Sequence, residues 1–518
     1  MVGAYNRTMA KLVSVSEMMA IEQAADAAGH SYEAMMQAAG RSLAEAVLAY
    51  SPVAEGQALA LVGTGNNGGD ALVALADLSD EGWAVAAYLV GQREADDPLV
   101  ARVGELGSIF RLSEDPDYEA LNDLIAQCDV LLDGLLGTGI RLPLREALAE
   151  LLLEVDAALD EMEDPPLVVA VDCPSGLDCE SGEFAPETLP ADVTVTMAAV
   201  KEGMLTVPAF ELLGELAVGE IGLPEDLPEW LAITREVVDE ELVFSALPER
   251  PADSHKGTFG TALIVAGSAN YLGAPLLAGR AAYRIGAGLV NMAVPQSIQA
   301  ANAGHLPEAT WLPLADDQGA IAAQADVSTG LERATAILIG PGLGTHTGTG
   351  SFLADLLDSE LPQLVLDADG LRLLAQLKDW PSKLRADSML TPHPGEMAIL
   401  TGLDKDAIQA DRMAVAQRYA QEWGCVVVLK GAFTVIAGPN GESAVIPAAS
   451  AALATAGTGD VLAGMLVGLR AQGVPAFSAA CAGAWLHAQA AVLAADYRGG
   501  EAGLMACDFI EHLPELIG

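Results

Sequence analysis

Aromatic residues make up only 5% of this 518-residue chain, and its 25 basic residues are far outnumbered by 72 acidic ones. A net charge of −47 repels the phosphates of nucleic acids and the anionic surface of membranes, so neither is expected as a partner. The six cysteines (Cys128, Cys173, Cys179, Cys425, Cys481, Cys507) lack CxxC spacing, which argues against a disulfide framework or a zinc site and for reduced thiols. The opening stretch MVGAYNRTMAKLVSVSEMM has no apolar core followed by a cleavage site, so no secretory signal is expected and the expected location is cytoplasmic. A mean hydropathy of +0.34 raises the question of a membrane span. The uncharged stretch Gly257 to Gly279, however, is broken by Gly260, Ser268, Asn270, Gly273 and Pro275, and reads as strand, loop and helix.

What the chain does have is small and apolar: 52% hydrophobic residues and 53 glycines, which suit layered α/β domains where strands, helices and nucleotides approach closely. The length predicts two domains, 1–235 and 240–518. In the first, the apolar runs at 58–63, 85–90, 129–133, 167–172 and 194–197 alternate with amphipathic stretches, predicting a doubly wound parallel sheet. Residues 16–50 carry apolar side chains at helical spacing, with Met35, Met36 and Ala39 as a packing face. Prolines and acids from Leu223 to Pro251 mark a linker, and a second α/β series follows at 261–267, 289–294, 336–340, 363–368, 388–392, 425–431 and 433–438. The acidic residues are dispersed, which fits a solvated surface and also adaptation to a salty interior.

Chemistry is written in the strand-end loops. Gly63 to Asp70 (GTGNNGGD) leaves a strand and enters a helix expected near Ala71, a position where backbone N–H groups can face phosphate. Asp133 to Gly139 (DGLLGTG) and Asp172 to Asp178 (DCPSGLD) follow two further strands, and in parallel sheets such loops converge on one crevice. Each aspartate alone is better read as a helix cap; the three loops together favour a site.

NNGGD, DGLLGTG and DCPSGL in this order resemble the NAD(P)H-hydrate epimerases, over about residues 10–225, and that resemblance implies a Rossmann-like fold. It implies that Asn66, Asn67, Gly68, Gly69 and Asp70, with the loop Gly137, Thr138, Gly139, Ile140, Arg141, Leu142 and Pro143, hold the hydrated dinucleotide. It also implies potassium on Asn67, Asp133 and Ser175, hard oxygen donors suited to such an ion, and Asp172 as the catalytic group at the reacting ring. Lys201 and the MMQAAG stretch agree with the family; Ala71 replaces a usual glycine.

In the second half, Thr455 to Asp460 (TAGTGD) precedes an apolar helix. Amides of this turn can stabilise a transferring phosphoryl group, with Asp460 placed to accept a proton from an attacking hydroxyl. GTGD before a helix resembles the ribokinase-like kinases. Together with GPGLG (340–344), DAD (367–369), TPHPGE (391–396) and KGAFT (430–434), it is similar to the ADP/ATP-dependent NAD(P)H-hydrate dehydratases over about residues 245–515. The resemblance implies two three-layer domains: a Rossmann-like epimerase domain and a ribokinase-like domain. It places adenine nucleotide at Lys430, Gly431, Ala432, Phe433, Thr434 and Gly459, and the hydrate at Ala274, Gly342, Gly344, His393 and Asp460, with Asp460 catalytic. His393 taken alone reads equally as a loop histidine. Where the family shows T-G-N-P-x-[LM]-A-T, this chain reads AASAALAT (448–455), so its Gly-Asn pair is absent.

The implied activity is repair: interconversion of the R and S hydrates of NADH and NADPH and dehydration of the S epimer, driven by ADP or ATP with magnesium. The competing reading is a small-alcohol kinase whose first domain binds nucleotide without turnover. A homo-oligomer is compatible with either.

Overall fold

Strands that are apolar on both faces belong in the middle of a parallel sheet, where helices cover each side. The computed structural model, which describes residues 10–93 and 97–517, divides into two compact units, Met1–Thr234 and Arg235–Gly518. Met1 to Met9, part of the stretch read for a secretory signal, lie outside the described residues.

The first unit contains β1 (Lys11–Val13), β2 (Gln57–Val62), β3 (Ala84–Leu89), β4 (Ser108–Arg111), β5 (Val130–Gly134), β6 (Leu167–Val171), β7 (Val193–Met197), β8 (Ala199–Lys201) and β9 (Glu215–Gly219). Seven of them form an all-parallel sheet in the order β4-β3-β2-β5-β6-β7-β9, while β1 and β8 pair separately. The strand succession reverses between β2 and β5, the switch point where doubly wound sheets take ligands.

The stretch 16–50 resolves into helices Val15–Ala27 and Tyr32–Tyr50, capped by Ser14 and Ser31. Met35 and Ala39 are buried, and Met36 rests on Gly69. The helix after β2 begins at Asn66, not near Ala71. Its glycines serve close packing rather than a loop: a Cβ on Gly68 would stand 2.2 Å from the Gly63 carbonyl oxygen, and one on Gly69 would stand 2.6 Å from Met36 Sδ.

The second unit contains β10 (Arg235–Val237), β11 (Thr261–Val265), β12 (Leu289–Pro295), β13 (Thr310–Leu314), β14 (Asp316–Asp317), β15 (Ala320–Ile321), β16 (Ala336–Ile339), β17 (Gln363–Leu366), β18 (Met389–Leu390), β19 (Val426–Leu429), β20 (Val435–Ala437) and β21 (Ser443–Val445). Within this unit the order is β13-β12-β11-β16-β17-β18-β19-β20-β21-β10, parallel as far as β19, with β20 antiparallel to both neighbours. The stretch expected as a linker holds β10 and the helices Pro228–Leu231 and Glu240–Ala246, elements of three to seven residues, too short to show a period. Gly257 to Gly279 forms loop, β11 and the start of the helix Gly273–Arg284. Among the described residues, the one helix long and apolar enough to cross a membrane is Ala476–Arg498, and 67% of its apolar window is buried inside the protein.

Candidate functional site

In the first unit, the ends of β2, β5 and β6 meet through polar contacts. Asp133 on β5 is 1% exposed; its Oδ1 accepts Ser175 Oγ–H at 2.6 Å and its Oδ2 accepts Ser175 N–H at 2.7 Å. Ser175 Oγ in turn accepts Leu136 N–H at 2.9 Å. Asn67 Nδ2 donates to the carbonyls of Leu136, at 3.1 Å, and Val171. Gly137 allows this closeness, since a Cβ there would stand 2.4 Å from Asn67 Oδ1. Asn67, Asp133 and Ser175 therefore form one buried cluster with two backbone carbonyls. Burial pushes the Asp133 carboxyl up, against the lowering effect of its Ser175 hydrogen bonds.

Asp172 directly follows β6 at φ +64°, a left-handed conformation that non-glycine residues hold only where their surroundings fix it. Its Oδ1 accepts Lys201 Nζ at 2.5 Å, Met197 N–H at 2.9 Å and Thr196 Oγ–H at 3.2 Å. Lys201, 1% exposed, also donates to Thr196 Oγ1 and the Met197 carbonyl. Asp70, on the helix after β2, is 6% exposed, and burial plus the charges of Asp172 and Glu22 push its carboxyl well up. Asn66 stands exposed at the mouth of the turn, and Arg93 donates to the Gly63 carbonyl at 2.9 Å. Along the loop after β5, Thr138, Ile140 and Leu142 are half-buried, while Gly139, Arg141 and Pro143 are exposed, leaving their edges open to a ligand.

In the second unit, Lys430 after β19 bonds Asp367 after β17, Nζ to Oδ1 at 2.6 Å, and lies 4.0 Å from Glu396. Thr391 Oγ donates to the same Asp367 oxygen at 2.6 Å. A Cβ on Gly459 would stand 3.6 Å from Lys430 Nζ, so this ammonium faces the first turn of the helix Thr458–Ala471, whose preceding residue Gly457 has φ +93°. Asp460 lies in that turn. Burial and the charges of Asp367 and Asp369 raise its carboxyl to about 7, against the opposing pull of Lys430. A carboxyl so poised can exchange protons with a substrate hydroxyl near neutral pH.

Gly342 abuts Ala274, since a Cβ on Gly342 would stand 3.0 Å from Ala274 Cβ, and its carbonyl accepts Ser268 Oγ–H; Gly344 N–H donates to Asp369 at 2.8 Å. Gly431 to Thr434 form the turn between β19 and β20, closed by Thr434 Oγ–H onto the Gly431 carbonyl and by Arg412 onto Leu429 and Ala432. His393 is placed as the N-cap of the helix Pro394–Thr401, its Nδ1 accepting from Gly395 and Glu396 N–H; the ring itself is exposed. The altered segment folds as a short turn, Ala451–Ala454, capped by Ser450, whose hydroxyl donates to Glu501 at 2.6 Å.

Sequence reasoning gave no role to Glu22, Arg93, Arg412 or Ser268. Only Glu22 left a signal: it stands four residues after Met18 and three before Ala25, both buried, so a carboxylate occupies the apolar stripe of its helix.

A family model described as NAD(P)H-hydrate dehydratase matches residues 262–515, and one described as YjeF-related protein N-terminus matches residues 32–203. A bifunctional NAD(P)H-hydrate repair enzyme of Coxiella burnetii is 35% identical over 98% of this chain and 100% of its own length. That of Escherichia coli is 35% identical over 96% of this chain and 91% of its own. A solved structure of the ADP/ATP-dependent NAD(P)H-hydrate dehydratase of Bacillus subtilis, co-crystallised with ATP and magnesium, is 35% identical with a TM-score of 0.48, covering 54% of this chain and 96% of that one.

Proposed function

This chain belongs to the family of bifunctional NAD(P)H-hydrate repair enzymes, and from that membership we propose how its two units divide the reaction: the first epimerises the C6 centre of NADH and NADPH hydrates, and the second dehydrates the S epimer. The observation that carries the reading is that both halves are matched at once, over the whole length of a bifunctional relative.

In the second unit, Asp460 takes the proton of the C6 hydroxyl, the alkoxide attacks the terminal phosphoryl group of ADP or ATP, and the ring nitrogen's lone pair then expels phosphate. Loss of a C5 proton restores the reduced nicotinamide. Lys430, held by Asp367, and the amides at Gly459 offset charge developing on the phosphoryl oxygens. Gly431 to Thr434 bound the adenine nucleotide, while Ala274, Gly342, Gly344 and His393 bound the hydrate. Magnesium would arrive on the nucleotide phosphates; among the described residues no group of three His, Cys, Asp or Glu is arranged to hold a metal.

In the first unit, Asn66 to Asp70 and Gly137 to Pro143 hold the dinucleotide and Asp172 faces the ring. Asn67, Asp133 and Ser175 fit a potassium ion: the Asp133 carboxylate is fully buried and lacks a cationic partner among the described residues, the Ser175 hydroxyl lies on it, and Asn67 is tied to the adjoining Leu136 and Val171 carbonyls. The ion would supply positive charge that keeps Asp133 ionised and the three loops together. All six cysteines are free thiols, which supports a cytoplasmic setting.

The test is incubation of the full chain with both NADH-hydrate epimers, magnesium, potassium and ADP or ATP, following 340 nm absorbance. Complete conversion of both epimers is expected, limited to one by Asp172→Ala and abolished by Asp460→Ala. A stable phosphorylated product with no recovered absorbance would overturn it in favour of a simple kinase.

A further inference from the structure

Three segments leave the cluster around Asn67 and Asp172 and meet again beside an open cleft of about 420 Å³. The first is the loop after β5, which touches Asn67 at Gly137, where a Cβ would stand 2.4 Å from Asn67 Oδ1, and runs on to Leu142 at the cleft. The second starts at Asp172 and reaches Ser181, Glu183 and Phe184. The third starts at Lys201, whose ammonium holds Asp172, and reaches Thr206 and Val207. These last two are fastened to each other on the way: Gly203 N–H donates to the Cys179 carbonyl at 2.8 Å, and a Cβ on Gly182 would stand 2.0 Å from Thr206 Oγ1. The cleft is therefore built from the same loops as the site, at the edge of a parallel sheet where ligands collect.

A dinucleotide has two nucleoside ends. With the reacting ring at Asp172 and the pyrophosphate at the helix start by Asn66, the adenosine end still lacks a seat. The cleft has the chemistry for it. Leu142, Phe184 and Val207 give it apolar walls, and Val207 is 58% exposed. Ser181 Oγ–H donates to Asp178 and Thr206 Oγ–H to the Gly203 carbonyl, so both hydroxyls present lone pairs to a ligand, as suits ribose hydroxyls and the exocyclic amine of adenine. Glu183 is the charged side chain on the wall, and its carboxylate has no hydrogen bond or ion pair among the described residues. No basic residue is among those lining the cleft; Arg141, next to Leu142, lies outside its wall.

We propose that this cleft seats the adenosine half of the hydrated dinucleotide, and that Glu183 is a specificity residue which accepts the ribose hydroxyls of NADH hydrate and repels the 2′-phosphate of NADPH hydrate. This rests on the epimerase reading of the first unit. Both hydrates are epimerised, because the reacting ring and the groups around it are the same in each. The difference lies in binding: a phosphomonoester carries close to two negative charges at neutral pH, and a carboxylate about 4 Å away in solvated surroundings weakens its binding by roughly 5–30-fold.

The experiment uses the full chain and follows epimer exchange by NMR with three substrates: the hydrates of NADH, of NADPH and of reduced nicotinamide mononucleotide, which lacks adenosine. Wild type should show a KM for NADPH hydrate roughly 5–30-fold above that for NADH hydrate at equal kcat, and the gap should narrow in about 1 M KCl. Glu183→Gln should bring the two KM values within about threefold, and Glu183→Lys should reverse their order. Val207→Trp, a bulky change at an exposed position, should raise KM for both dinucleotide hydrates and leave kcat unchanged. No variant should alter epimerisation of the mononucleotide hydrate or dehydration of the S epimer, both of which a general defect in folding would lower. Equal KM values in wild type, or a ratio that Glu183→Gln leaves unchanged, overturns the role of Glu183. An unchanged KM in Val207→Trp, or an equal effect on the mononucleotide hydrate, overturns the cleft as the adenosine seat. Absence of epimer exchange in wild type with all three substrates would instead strike the epimerase reading itself.

Discussion

Lys430 Nζ stands 2.6 Å from Asp367 Oδ1, and this contact keeps an ammonium beside the glycine turn that opens the helix Thr458–Ala471. Replacing the cation while keeping its bulk separates charge from packing. Lys430→Met should lower dehydratase kcat by about 10²–10³-fold, the range for removing one preorganised charge-stabilising group. Epimerase activity, measured in the same preparation, should be unaltered.

Asp460 gives a pH prediction. Its carboxyl is raised from 3.8 to about 7, and the deprotonated form is the base. The dehydration kcat/KM should therefore rise with pH through about 7 and then level off. Asp460→Asn should abolish turnover at every pH, with nucleotide binding by calorimetry retained. A rate already flat between pH 5 and 8 would contradict the assignment of Asp460 as base.

Lys201 and Asp172 form a buried pair at 2.5 Å, with side-chain exposures of 1% and 12%. Removing only the lysine leaves a buried carboxylate uncompensated, which costs about 3–5 kcal/mol. Lys201→Met should lower the first unit's melting temperature, and adding Asp172→Asn should restore part of it, because the second change removes the stranded charge.

Much of this was legible in the residues because the loops carrying chemistry follow strands whose apolar runs are unmistakable: Asp133, Asp172 and Asp460 all stand where the patterns put them. The start of the helix at Asn66 was hidden because its glycines read as loop formers, when their use is close approach to Gly63 and Met36. Arg93 was not found because it reaches the Gly63 carbonyl from another segment, so its proximity depends on tertiary packing. His393 shows the converse: the motif is there, yet its Nδ1 caps a helix.

Packing beneath the phosphoryl site can be tested at Gly464. A Cβ there would meet the Ala278 carbonyl oxygen at 2.2 Å, so the helices Gly273–Arg284 and Thr458–Ala471 approach backbone to backbone. Gly464→Ala should destabilise the second unit by about 1–3 kcal/mol, overpacking outweighing alanine's better helix propensity. It should also lower dehydration by tilting Asp460 from the phosphoryl group; thermal melts and S-epimer kinetics measure the two effects separately.

The charge of −47 separates two effects of potassium. Raising ionic strength from 0.1 to 1 M shortens the screening length from about 10 to 3 Å, which weakens repulsion among the dispersed acids. The melting temperature should therefore rise in both KCl and NaCl. Binding at Asn67, Asp133 and Ser175 adds a contribution only for the ion that fits, stabilising the first unit by mass action and saturating at low salt. KCl should exceed NaCl below about 0.1 M and run parallel to it above, where screening has taken over. Asp133→Asn should erase the difference between the salts while leaving the common rise intact. A curve that stays flat or falls in both salts would show that self-repulsion does not limit the stability of this chain.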